Sequence, residues 1–213
     1  MLPTIFISLI LGLVRPAVNK LPVTAHAQLA SRTFSLDDRY GNTFVNDVFK
    51  DNILLTMSYM DGQVKAKNDI DWAQVEKPFT YEFTLNPGEE FAFHDQLLPA
   101  YAQNVVKTTN AHYNFDEGFK SDGYLVGDGV CHLASFIYWV AKDAGLTAIA
   151  PTNHNFAKIA DVPKEYGVAI FANPYAKSGG SSNFYIINNK ENPIKFIFDY
   201  KNDNLNVSVV EVK

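Results

Sequence analysis

The stretch "GDGVCHLASFIYWVAKDAGL", Gly127 to Leu146, holds the only cysteine of the 213-residue chain. At about 100° per residue, Leu133, Phe136, Ile137, Val140, Ala141 and Ala144 fall on one apolar stripe of a helix. Cys131 points nearly opposite, on the side shared by Ser135, Tyr138 and Lys142. A cysteine kept for packing belongs in the stripe. This one lies off it, in the first helical turn, where unpaired backbone N–H groups and the helix dipole favour a thiolate. Gly127 and Gly129 permit a sharp entry and a close approach of a substrate backbone. Asp128 reads as the N-cap, but its charge opposes thiolate formation. The bland reading is a cysteine tucked under a neighbouring loop, as free cysteines often are.

Outward from this helix, strand patterns dominate. "FTYEFTL", Phe79–Leu85, alternates apolar and polar residues as a half-buried strand does, and Asn86-Pro87-Gly88 ends it in a turn. After the cysteine helix come short strand-like runs: "TAIAP", "GVAIFA", "NFYIINN" and "IKFIFDY". Residues 188–192 read as a tight hairpin between the last two. "YAKSGGSSN" reads as a flexible surface loop. Residues 28–76 form a lead-in with one apolar run of helical length, Val48 to Met60, which packs on the main body. The expected fold is a single α+β domain over residues 77–213, with the cysteine-bearing helix packed on an antiparallel sheet.

Composition narrows the class of function. Hydrophobic residues at 47% and aromatics at 14% describe a globular protein. A net charge of −5 leaves no basic excess, so no nucleic-acid partner is expected. The first 14 residues, "MLPTIFISLILGLV", are almost wholly apolar but too short to span a bilayer as a helix. Ala25-His26-Ala27 supplies the small-x-small pattern of a signal-peptidase site, so residues 1–27 read as an export signal. An uncleaved membrane anchor is the second reading and a buried N-terminal element the third. Export places the protein outside the cytoplasm, in the cell envelope or secreted. A lone cysteine there forms no intrachain disulfide and must be buried or used.

A thiol nucleophile needs a base within hydrogen-bond reach, and the base needs an orienter. His154, in "PTNHNFAKI", is the strongest candidate base because it follows the strand after the cysteine helix. Asp199, at the end of "IKFIFDY", is a candidate orienter; Asn153 and Asn155 are nearer in sequence. His132 leaves the helix about 100° from Cys131 and reads as a site wall. Asp128, Asn153, Tyr124 and the two glycines are candidate binding residues. His94 and His112 read as surface or structural histidines. No histidine or cysteine pair has a zinc-site spacing, and no Walker loop, dinucleotide motif or Gly-x-Ser-x-Gly elbow is present. Neither metal nor cofactor is expected.

From about Phe79 to Val207 the chain resembles the VanW-like family, named for an accessory protein of vancomycin-resistance clusters. "FTLNPGEEFAFHD" is similar to the family's strand–turn segment. "GDGVCHLASFIYWVAKDAGL" is similar to its Gly-Gly-Gly-Val-Cys-Gln block and the helix ending Ala-Gly-Leu. "NHNFAKIADVP" and "NFYIINNKENPIKFIF" resemble its histidine segment and closing hairpin. The chain departs from the pattern at Asp128, His132 and Asn183. The resemblance implies a bacterial cell-envelope protein and carries over Cys131 and His154 as site members. The order Cys131, His154, then an acidic residue also resembles transglutaminase- and papain-like thiol enzymes in layout. Two functions follow as expectations. One is a cysteine-dependent amide hydrolase or transferase acting on peptidoglycan or envelope peptides. The other is a non-catalytic module binding a cell-wall peptide or glycan, with Tyr124, Tyr138 and Trp139 as stacking platforms. Oligomeric state is not legible.

Overall fold

The computed structural model describes residues 26–173 and 181–213. The apolar leader up to Ala25 and most of "YAKSGGSSN" lie outside the described residues. Two four-stranded sheets and three α-helices are found among the described residues. The first sheet has the order β1-β8-β7-β2 and is antiparallel throughout. Its strands are β1 (His26–Ser35), β2 (Phe79–Leu85), β7 (Ile194–Lys201) and β8 (Asn204–Val212). The second has the order β4-β3-β6-β5, from β3 (Glu90–Ala92), β4 (Val105–Lys107), β5 (Thr147–Ile149) and β6 (Tyr185–Ile187). Only its β3–β4 pair is parallel. The fold is α+β, as the sequence implies.

Each sheet follows from its residues. Along β7, Ile194, Phe196, Phe198 and Tyr200 are buried and alternate with less buried positions, the period-two pattern of a one-faced strand. Phe83 on β2 pairs in register with Phe196, with ring centroids 5.1 Å apart, and Tyr81 pairs with Phe198 at 6.0 Å. Cross-strand aromatic pairs of this kind fix the register. Asn202 and Asp203, both at positive φ, form the two-residue turn between β7 and β8.

Two expectations are corrected here. Residues 188–192 are not a hairpin: β6 and β7 belong to different sheets, so the chain changes sheet at this point. Asn188 makes the corner, donating to the carbonyls of Leu85 and Asn192 while its own side-chain oxygen accepts from Lys190 N–H. The run "GVAIFA" is not a full strand either. It makes isolated bridges, Asn153 to Val168 and Phe171 to Ser182, and otherwise lies on the cysteine helix.

The lead-in contributes more than one helix. Its first residues form β1, which pairs with β8 at the edge of the first sheet. The helix α1 (Thr43–Asp61) is longer than the apolar run. Asn42 caps its start by accepting from Val45 N–H, and Gly62 ends it at positive φ. A short α2 (Trp72–Val75) follows. The cysteine helix, α3 (Val130–Asp143), has the expected stripe: Leu133, Phe136, Ile137, Val140 and Ala141 are fully buried. It contacts β1, β8 and β5, and α1 crosses it at Gly129.

Candidate functional site

A cleft of about 530 Å³ opens at the N-terminus of α3, within the size range of ligand sites. Cys131, His132 and His154 all border it. So do Arg39, Asp128 and Tyr124. The helix start is held by α1. A Cβ at Gly129 would lie 2.4 Å from the Phe49 carbonyl oxygen, and Gly129 has φ +96°. Only glycine permits that approach and that backbone. At Gly127 a Cβ would meet the Cβ of Tyr113 at 3.0 Å. The space at both glycines is thus taken by the protein's own chain, so their role is to shape the turn rather than admit a substrate backbone. Two buried asparagines of α1 anchor the surrounding loops. Asn52 donates to the Lys120 and Asp128 carbonyls and accepts from Lys120 N–H. Asn46 accepts from the backbone N–H groups of Arg39 and Tyr40.

Cys131 lies off the apolar stripe and is partly buried. The extended segment after Gly167 runs along that face of the helix. Ser135 Oγ accepts from Val168 N–H at 2.9 Å, and Cys131 Sγ accepts from Ile170 N–H at 3.4 Å. Alternate residues of the segment thus dock on side chains one helical turn apart. The thiol in turn reaches the Ile170 carbonyl at 3.8 Å. Burial pushes the thiol up to about 11, with the Asp128 charge adding to it and the Ile170 N–H opposing it. At neutral pH Cys131 is a thiol, not a thiolate.

His154 is held by its Nδ1, 3.0 Å from the Ala157 carbonyl. A carbonyl only accepts, so Nδ1 carries the proton and Nε2 is the basic nitrogen. Among the described residues Nε2 has no hydrogen-bond partner. Burial lowers the imidazole's pKa, which favours the neutral ring. His132 is 5% exposed and packs edge-on against Phe49, and its buried Nδ1 has no hydrogen-bond partner among the described residues. Burial, the Arg39 cation and His154 bring it down to about 3. Cys131 and His154 share the cleft but make no hydrogen bond to each other.

The other candidates are placed as follows. Asp128 is not the N-cap of α3. Gly129 occupies that position, with no capping side chain, and Asp128 accepts from Asp122 N–H at 3.3 Å. Burial and the Asp122 carboxylate beside it push Asp128 up to about 6. Asp199 stands on β7, accepts from Thr80 Oγ at 3.0 Å and is ion-paired with Lys201. It does not border the cleft, because β7 lies in the first sheet and β5, which leads to His154, in the second. Asn153 is exposed outside the cleft. Tyr138 and Trp139 are also elsewhere: Trp139 lies between the Arg32 guanidinium, 3.6 Å from its ring, and Tyr166. Tyr124 does border the cleft, 93% exposed at the tip of the loop closed by the Ser121–Val126 bridge.

Two other histidines are held by protein partners, and one of them, His112, also borders the cleft. His94 is fully buried, with Nε2 2.9 Å from the Ser182 carbonyl. His112 is clamped between Glu117 and Asp95 at 2.8 and 2.7 Å, which raises it to about 9. Among the described residues no group of three or more histidine, cysteine or acidic side chains is arranged to hold a metal ion.

Sequence reasoning missed Arg39 and, Tyr124 apart, the aromatic rim. Arg39 lies in the turn-rich "LDDRYGN", where a charged residue reads as solvated, yet its side chain is buried and bonded to Ala160 and Asp161. Of the exposed large apolar side chains among the described residues, Tyr40, Phe115, Tyr124, Leu125, Phe156 and Phe171 border the cleft. They come from five separated segments, so no local pattern announces them.

Residues 80–210 match the family model described as "VanW like protein". No curated protein and no solved structure matches the chain, so nothing beyond residue order supports the transglutaminase- and papain-like layout. With the model covering well over half of its length, including the cysteine helix, the histidine segment and both central strands of the first sheet, the chain belongs to the VanW-like family.

Proposed function

We propose that this VanW-like protein is exported and binds a peptide or glycan of the cell envelope in the Cys131–His154 cleft. One observation carries the reading: exposed aromatic and apolar side chains gather around a cleft, and two buried side chains that border it, Arg39 and His132, each hold a nitrogen with no hydrogen-bond partner among the described residues. Exposed apolar patches rimmed by polar residues mark interaction sites, and aromatic rings suit sugars and peptide side chains alike. Export rests on the apolar leader and Ala25-His26-Ala27. A cut after Ala27 would remove the first two residues of β1 and leave Gln28–Ser35 to pair with β8. The test is sedimentation of the protein with purified peptidoglycan. The Tyr124→Ala/Phe156→Ala double variant is expected to bind at least about tenfold more weakly, since each lost aromatic contact is worth about 1 kcal/mol. Undiminished binding by a folded double variant would remove the cleft from the reading.

A cysteine-dependent amidase or transferase is the second reading, favoured by His154 with its basic Nε2 unoccupied in the cleft that holds Cys131. There Cys131 Sγ would attack the amide carbonyl while His154 took the thiol proton and returned it to the leaving amine. That reading requires ligand binding to release the thiol from Ile170 and bring His154 within reach. Alkylation by iodoacetamide across a pH series separates the two. Reaction near neutral pH that disappears in His154→Ala supports the enzyme.

A further inference from the structure

We propose that the floor of the cleft is a carboxylate subsite formed by His132 and Arg39, so that the ligand carries a carboxylate group. The proposal rests on the binding reading above and names the chemistry of what binds. Three independent features converge. His132 borders the cleft, is 5% exposed, and holds a buried Nδ1 with no hydrogen-bond partner among the described residues. A buried imidazole left unpaired costs free energy that a ligand hydrogen bond recovers. Arg39 also borders the cleft with a wholly buried side chain, and its Nε–H has no acceptor among the described residues although its other nitrogens serve Ala160 and Asp161. The N-terminus of the 14-residue α3 is uncapped, which adds a positive dipole end beside both.

The three donors favour an anion, and a planar carboxylate matches an imidazole N–H and a guanidinium N–H better than a neutral amide does. Both signs of charge line the cleft, with Arg39, Lys158 and His112 among the cations and Asp122 and Asp128 among the anions. Arg39 is the charge that acts on His132, whereas Asp128 is the charge that acts on Cys131, about 100° around the helix. Asp122 and Asp128 therefore repel a carboxylate from the cysteine side and orient it toward His132. A carboxylate there can come from a peptide C-terminus or from a sugar acid.

The experiment uses the full chain and two matched probe pairs: N-acetyl-tyrosyl-alanine against its C-terminal amide, and glucuronic acid against its methyl ester. Binding is followed by calorimetry and by the NMR signals of the His132 ring. The acid of one pair is expected to bind about tenfold tighter than its neutral partner, the usual worth of a charge-assisted hydrogen bond, and to move the His132 ring signals. The pair that shows the preference identifies the source. In His132→Phe, which keeps the packing against Phe49, the preference falls to about twofold or less; His132→Gln, which keeps a donor, retains part of it. Equal binding of acid and neutral probes with His132 unmoved overturns the subsite and leaves the binding reading standing. Failure of all four probes to bind overturns both.

Discussion

The Cys131 thiol accepts a hydrogen bond from Ile170 N–H at 3.4 Å, which makes it part of the seam between α3 and the segment that follows Gly167. A reactive cysteine and a structural one make opposite demands on that contact. Holding the sulfur against a backbone N–H at the cleft wall keeps it neutral so long as burial outweighs the single donor, and here it does. Iodoacetamide modification is therefore expected to be slow at pH 7 and to rise toward pH 11. Cys131→Ala removes the acceptor for Ile170 and should cost about 1 kcal/mol in denaturant unfolding. The thiol's raised pKa also sets a sign. Its contribution to stability is complete below the unfolded-state value near 9 and is lost as pH rises toward 11. The difference between native and Cys131→Ala proteins should shrink over that window.

Asp128 gives a lower pH window. Its folded-state value of about 6 lies above the unfolded value of about 4, so its favourable contribution is present at pH 4 and lost as pH rises through 6. Asp128→Asn should stabilise the protein at pH 7 by about 1–2 kcal/mol, allowing for solvent screening of a half-buried group. The same variant removes a negative charge that raises the Cys131 thiol, so its alkylation profile should move to lower pH. An unmoved profile would show that Asp128 does not act on the sulfur.

His112 works in the other direction from most histidines. Clamped by Glu117 and Asp95, it is charged in the folded protein up to about pH 9 but only to about 6.5 when unfolded. Its stabilisation is complete below the unfolded value and disappears as pH rises through 9. His112→Asn should cost about 2 kcal/mol at pH 6 and little at pH 10, read as the difference between the two proteins' unfolding free energies. NMR titration of the ring should show the high value directly.

Gly129→Ala tests the crossing of α1 and α3. The added Cβ meets the Phe49 backbone on a residue with positive φ, so neither helix can accommodate it without moving. A loss of about 3 kcal/mol or more is expected in chemical denaturation. Gly123→Ala, also at positive φ but facing open space, should cost only the backbone strain, about 1 kcal/mol.

How much of this was legible depends on the range of the forces involved. The α3 stripe and β2 follow from local periodicity, and both stand where the sequence puts them. The placing of His154 after a strand is likewise a short-range inference. Residues 188–192 misled because a polar run between two strands has the composition of a hairpin, and only the pairing partners of β6 and β7 reveal the change of sheet. Asp199 misled for a related reason: a strand end carries no mark of which sheet it joins. Arg39 was invisible since its burial depends on Asn46, Ala160 and Asp161, contacts from across the chain. The Ile170 contact with Cys131 spans 39 residues and leaves no trace in local pattern.

The zipper of Ser31 against Ser208, and of its neighbours along β1 and β8, has a consequence for how the molecule is made. The strand synthesised early waits, unpaired, until residues 204–212 have left the ribosome, and the first sheet cannot close before then. Pairing between strands so far apart along the chain gives the first sheet a high contact order, so its closure is expected to be slow beside the local formation of the helices.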